Sequence, residues 1–169
     1  MIVEGPAVLV PGDNIDTDVL YPGAYLNIDD PSEMKPHLFE GLDASLRDKL
    51  SPGCVVIVGE NFGTGSSREH VPLGMKAFEV GCVVGVSFAR IFYRNCFNLG
   101  LPAVVCPGAA RAVGEGDAMR IDLDEGRITA GEREFQVAPV PLFMRNMLSS
   151  GGLVQWGRAR IEGELTGGA

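Results

Sequence analysis

The sequence predicts one α/β domain built on a mixed sheet with short helices, and three observations carry that prediction. Short apolar runs at residues 54–58, 82–86 and 103–106 alternate with helix-like stretches. Runs this short, bounded by turn residues, suit strands buried on both faces. Their strand–helix–strand order implies right-handed crossovers and parallel pairing. After Pro107 the pattern changes to alternation, in Met119-Arg120-Ile121-Asp122-Leu123 and again in Phe135-Gln136-Val137. Alternation with period two marks half-buried antiparallel hairpins. The length of 169 residues fits one domain with a single sizeable core.

In chain order, Ala7-Val8-Leu9-Val10 reads as a first short strand, ended by Pro11-Gly12. Residues 13–32 are rich in turn formers, and so long an irregular segment is usually functional or mobile. Residues 33–50 are polar and weakly helical, with Leu38, Leu42 and Leu46 spaced four apart. Residues 54–58 form a buried strand. Pro72 is tolerated only in a first helical turn, so a helix is expected from about His70 to Val80, with Gly81 as its stop. Residues 82–86 are a second buried strand, 89–98 a short helix ended by Gly100, and 103–106 a third buried strand. Gly126 and Gly131 punctuate the hairpin region. Residues 140–149 read as a last amphipathic helix, with Val140, Phe143, Met144, Met147 and Leu148 on one side. Residues 163–169 read as a frayed tail.

Composition narrows the function. Hydrophobic residues make up 46% and charged residues 21%, the balance of a globular chain. The formal net charge is -8, which argues against nucleic acid or an anionic membrane as partner. Any site for an anion must therefore be local. No apolar run approaches the ~20 residues of a membrane span, and the N-terminus lacks a basic signal-peptide region, so the cytoplasm is the expected compartment. Cys54, Cys82, Cys96 and Cys106 have no C-x-x-C spacing and read as buried thiols. His37 and His70 are too far apart to suggest a metal site, and His37 reads as a surface residue. The aspartates between 13 and 30 lack a calcium-loop pattern and read as turn formers.

The chemistry concentrates in Gly63-Thr64-Gly65-Ser66-Ser67-Arg68-Glu69-His70. Glycines let backbone approach a ligand closely. Arg68 can grip a carboxylate through two parallel N–H bonds, and Ser66 can donate to an oxyanion. A dinucleotide fingerprint, a Walker A loop and a nucleophile elbow all fail on spacing. Two readings stay open on residue types: an anion site, or a helix cap made by Ser66 or Ser67 and completed by Glu69. Asp16-Thr17-Asp18 can orient a cationic group in the same cleft. Arg90 and Arg94, one turn apart, read as structural ion-pair residues.

Three motifs occur in order: Asp13-Asn14-Ile15-Asp16-Thr17-Asp18, Gly65-Ser66-Ser67-Arg68-Glu69-His70 and Ser87-Phe88-Ala89-Arg90-Ile91-Phe92-Tyr93-Arg94-Asn95. Together they resemble the small subunits of 3-isopropylmalate dehydratase and its homoaconitase-type relatives, which correspond to the C-terminal swivel domain of aconitase. The resemblance covers nearly the whole chain. It implies one three-layer β/β/α swivel domain over residues 1–169. It also implies a large aconitase-like partner subunit that carries a [4Fe–4S] cluster, with no cofactor bound by this chain. The implied reaction removes water from a hydroxy-dicarboxylate and re-adds it at the neighbouring carbon. Carried over residue by residue, Ser66 is the base, Ser67 and Arg68 hold the substrate carboxylate, and Asp18 is a supporting acid in the cleft. Tyr25, Leu26, Asn27 and Ile28 align with the specificity loop, where relatives acting on tricarboxylates carry an arginine. This chain has none between Asp18 and Asp30. The expected substrate is thus 2-isopropylmalate in leucine biosynthesis, with a methylmalate, dimethylmalate or homoaconitase-type dehydratase as the alternative. Two readings from other classes are a serine hydrolase using Ser66 and His70, and a non-catalytic carboxylate-binding module.

Overall fold

The computed structural model describes residues 1–166. Seven strands form one curled mixed sheet: β1 (Ile2–Val10), β2 (Val55–Val58), β3 (Cys82–Gly85), β4 (Ala103–Val105), β5 (Ala118–Asp122), β6 (Arg127–Ala130) and β7 (Arg133–Gln136). Their spatial order is β4-β3-β2-β1-β5-β6-β7. The helices are α1 (Thr17–Leu20), α2 (Pro31–Met34), α3 (His70–Ala77), α4 (Arg90–Asn98), α5 (Pro107–Ala112), α6 (Leu142–Ser149) and α7 (Leu153–Thr166).

β1 organises the sheet because its two halves serve different ladders. Residues Ala7 to Val10 pair in parallel with Val55 to Val58 of β2. Residues Ile2 to Pro6 pair antiparallel with Asp122 to Ala118 of β5. The sequence predicted only the second half, since Gly5-Pro6 reads as a break. Pro6 falls at the handover between the ladders, where a missing donor is tolerated. β2, β3 and β4 extend the parallel half, as their apolar runs predict. All four residues of β2 and of β3 are buried. β5, β6 and β7 form the antiparallel meander that the alternating segments predict.

Other boundaries differ from expectation. Residues 33–50 hold no regular helix but the end of α2 and two 3-10 turns, Lys35–His37 and Ala44–Lys49. α3 ends at Ala77, before Gly81, because Glu79 takes the left-handed φ of 58°. α5 and α7 were not expected. α5 is built from small residues without an apolar stripe, and α7 leaves Leu153, Val154 and Ile161 exposed. The segment read as a frayed tail is helical through Thr166, and residues 167–169 lie outside the described residues. None of the described helices is long and apolar enough to cross a membrane.

All four cysteines are free and buried in the core. Burial raises the Cys54 thiol, pushes Cys82 up to about 12 and raises Cys96, which also feels Cys82. A thiol is reactive as its thiolate. The native chain is therefore expected to take up less than ~0.1 equivalent of iodoacetamide in an hour at pH 8, and four equivalents once denatured; thiol counting by mass checks this.

Candidate active site

The three motifs leave the carboxyl ends of three adjacent parallel strands, the place where open α/β sheets bind ligands. The loop after β1 and the loop after β2 are joined at an isolated bridge, Asp16 to Thr64. Thr17 N–H donates to the Thr64 carbonyl at 2.8 Å, and Gly63 N–H donates to the Ile15 carbonyl at 2.9 Å. The loops after β2 and β3 are joined the same way. Phe62 N–H donates to the Ser87 carbonyl at 3.1 Å, and Asn61 N–H donates to Ser87 Oγ at 2.7 Å.

The turn closes through two glycines with left-handed backbone, Gly63 at φ 79° and Gly65 at φ 90°. A Cβ on Gly63 would overlap the Phe92 ring, and one on Gly65 would overlap the Asp16 carboxylate. Phe92 is 1% exposed and cannot move aside. Gly63→Ala is expected to lower stability by about 2–3 kcal/mol, from overpacking and a positive φ together, measured by urea unfolding.

Asp18 and Arg68, from separate motifs 50 residues apart, form an ion pair here, Arg68 Nη1 donating to Asp18 Oδ1. Gly23 lies against the guanidinium, 3.7 Å separating Arg68 Nη1 from the place of a Cβ. Asp16 caps α1 and receives the Asp18 N–H at 2.7 Å, so the cationic group expected beside residues 16–18 is Arg68. Arg68 uses one Nη on Asp18, which leaves the other edge of its fork for a ligand carboxylate. Ser66 is half-buried; its N–H donates to Thr17 Oγ1 at 3.1 Å, while its Oγ bonds no other described group. Ser67 is exposed, and its carbonyl accepts from Asn95 Nδ2 at 3.0 Å. The turn thus brings together Ser66, Ser67, Arg68 and Asp18. A guanidinium paired with one carboxylate sits beside a hydroxyl with no other bond among the described residues.

Several expectations are corrected. Ser66 and Ser67 cap no helix: α3 starts at His70, and its first flanking residue, Glu69, makes no side-chain cap bond. Ser66 and His70 make no hydrogen-bonded pair. His70 Nε2 lies 3.2 Å from the Leu26 carbonyl, and its ring packs 5.1 Å from Tyr21. His37 is not a plain surface residue: its ring stacks on Tyr25 at 3.6 Å, and its Nδ1 sits 2.8 Å from Glu40 Oε2. Arg90 and Arg94 are exposed and form no ion pair among the described residues. Their helix turns the apolar Phe92, Cys96 and Phe97 inward and leaves the cations in water.

The residues expected to form a specificity loop make a compact feature of their own. Tyr25, Leu26 and Ile28 pack on the core, and Asn27 is exposed. The Tyr25 hydroxyl donates to Glu40 Oε1 at 3.2 Å, and that bond raises the phenol while His37 lowers the Glu40 carboxyl. Sequence reasoning missed Thr17, Tyr21, Glu40 and Asn95 as supports. Thr17 and Asn95 lie inside the quoted motifs, which was the available signal; nothing local marks Glu40.

The four cysteines are buried core thiols, and no three of them are grouped as the ligands of an iron–sulfur cluster would be. Among the described residues no three His, Cys, Asp or Glu side chains are grouped to hold a metal ion.

The chain is similar to known proteins along most of its length. The family model described as the aconitase C-terminal domain matches residues 39–107. The 3-isopropylmalate dehydratase small subunit of Thermodesulfovibrio yellowstonii is 44% identical over 156 residues, covering 90% of this chain and 92% of that protein. The 2,3-dimethylmalate dehydratase small subunit of Eubacterium barkeri is 45% identical over 147 residues, covering 86% and 90%. The crystal structure of 3-isopropylmalate dehydratase from Methanocaldococcus jannaschii superposes with a TM-score of 0.91 at 36% identity, covering 99% of this chain and 100% of that one. These matches span most or nearly all of the chain, which belongs to the family of 3-isopropylmalate dehydratase small subunits.

Proposed function

We propose that this chain is the small subunit of a heteromeric hydro-lyase that converts 2-isopropylmalate to 3-isopropylmalate in the leucine pathway of the cytoplasm, acting with a large aconitase-like subunit. One observation carries the reading: the paired Arg68 and Asp18 stand beside Ser66 at the carboxyl edge of the sheet. The whole of residues 1–169 serves as one swivel domain. A [4Fe–4S] cluster on the large subunit would supply Lewis-acid chemistry.

The roles follow from residue chemistry. Arg68 binds a substrate carboxylate through the fork edge that Asp18 leaves free, and Ser67 adds a hydroxyl donor. Asp18 holds one edge of the guanidinium and offsets its charge. Ser66 Oγ removes the proton from the carbon beside the hydroxyl-bearing carbon, and hydroxide leaves from that neighbour. Water then returns across the double bond in the opposite sense. A serine hydroxyl is a poor base in water, so it needs oriented donors and a closed, dry cleft. Closure of this domain on its partner would provide both.

Substrate choice rests on the loop after Asp18. It contains no cation from Val19 to Asp29. A third carboxylate placed there would be desolvated without a partner, which costs several kcal/mol. An apolar substituent is accepted instead. The resemblance to a dimethylmalate dehydratase small subunit keeps a smaller branched substrate as the second reading. A substrate panel with the reconstituted pair tests the choice. The highest kcat/KM is expected for 2-isopropylmalate, with a homologous tricarboxylate at least about 100-fold lower. Equal use of the tricarboxylate would refute the reading.

A further inference from the structure

The chain's only two histidines, His37 and His70, both touch the segment Tyr25–Ile28. They hold it at two different residues, Tyr25 and Leu26. The Tyr25 ring lies on His37, 17° from parallel, while Glu40 receives both the Tyr25 hydroxyl and His37 Nδ1. His70 Nε2 meets the Leu26 carbonyl at 3.2 Å. The buried Tyr21 lies between these contacts: its ring packs on His70, and its hydroxyl donates to the Tyr25 carbonyl at 3.3 Å.

The His70 contact differs from the others in what it connects. A carbonyl only accepts, so Nε2 carries the hydrogen of this contact. Nδ1 is buried and has no hydrogen-bond partner among the described residues. An unsatisfied buried nitrogen disfavours the fold, so an imidazole is a poor choice of filler at this position. What it supplies is one directed donor, placed two residues after Arg68 and at the first residue of α3. That donor ties the loop backbone to the helix start that follows the clamp.

We infer that His70 is a positioning residue that locks the Tyr25–Ile28 loop at a fixed separation from the Arg68 clamp, and so sets the size of substituent the site accepts. The inference rests on the reading of Arg68 as clamp and Tyr25–Ile28 as specificity loop. A substrate held at its carboxylate by Arg68 projects its substituent a set distance away. A loop free to shift would lose the ability to enclose a branched group, while a small group would be indifferent.

The test uses full-length His70→Leu and His70→Gln chains, each reconstituted with the large subunit. Glutamine can return an N–H donor towards the Leu26 carbonyl; leucine cannot. His70→Leu is expected to raise KM for 2-isopropylmalate at least tenfold with kcat within threefold. KM for 3-methylmalate should stay within threefold, and His70→Gln should recover most of the 2-isopropylmalate KM. A fall in kcat at unchanged KM, equal effects on both substrates, or no rescue by glutamine would overturn the inference. A second readout is independent of the reaction: amide exchange over residues 23–28 of the same chains. It should speed at least tenfold in His70→Leu and stay within threefold in His70→Gln, and unaltered exchange in His70→Leu would overturn the inference. If the wild-type pair turns over neither acid, the functional reading fails, and the exchange result still decides whether His70 anchors the loop.

Discussion

Replacing Ser66 by alanine is expected to lower partner-dependent kcat by about 10³-fold, the range typical of losing a general base. KM should change little, because Arg68 and Ser67 keep the carboxylate contacts. Folding should be intact for a structural reason: Ser66 contributes its backbone N–H to Thr17 Oγ1, and alanine keeps that donor. Its hydroxyl supports no other described group, so the thermal midpoint should move by less than ~2 °C. Steady-state rates of the reconstituted pair and a melting curve of the variant check both statements. Normal turnover would reduce this chain to a carboxylate-binding module.

Arg68→Lys carries the second largest effect. Lysine keeps the charge but presents a point ammonium in place of a planar fork. In the wild type one Nη is engaged by Asp18, and in the proposed role the rest of the fork takes the substrate carboxylate. An ammonium drawn to Asp18 has no second oriented edge. KM is expected to rise about 100-fold, with a smaller loss in kcat from misplacement of the reacting carbon. Stability should hold within about 1 kcal/mol, since Asp18 is largely exposed and such pairs contribute little. Paired kinetics and urea unfolding separate these outcomes; a large loss of stability with unchanged KM would assign Arg68 to structure instead.

The parallel half of the sheet was legible because β2 and β3 are fully buried apolar runs, and β4, though expected as buried too, is apolar but exposes Val105 at the sheet's edge. The meander was legible from its alternation. The N-terminal half of β1 was not, because Gly5-Pro6 looks like a stop unless the switch between two partners is known. α7 was hidden for the opposite reason: a helix with a weak apolar stripe carries little periodic signal. At the site, the motifs named Ser66, Arg68 and Asp18, and local spacing suggested a Ser66 cap and a Ser66–His70 pair. Both failed on one fact that spacing does not contain, the helix start at His70. The supports Tyr21, His37 and Glu40 act across the fold through contacts with the 25–28 loop and α3, so no local pattern shows them.

The central claim is that this chain supplies base and clamp to an active site completed by another chain. Turnover of 2-isopropylmalate, followed for this chain alone, for the large subunit alone and for the two mixed, tests it most directly. Activity is expected only in the mixture and should disappear when the added chain carries Ser66→Ala. Turnover by this chain alone, or undiminished turnover with the Ser66→Ala chain, would contradict the account.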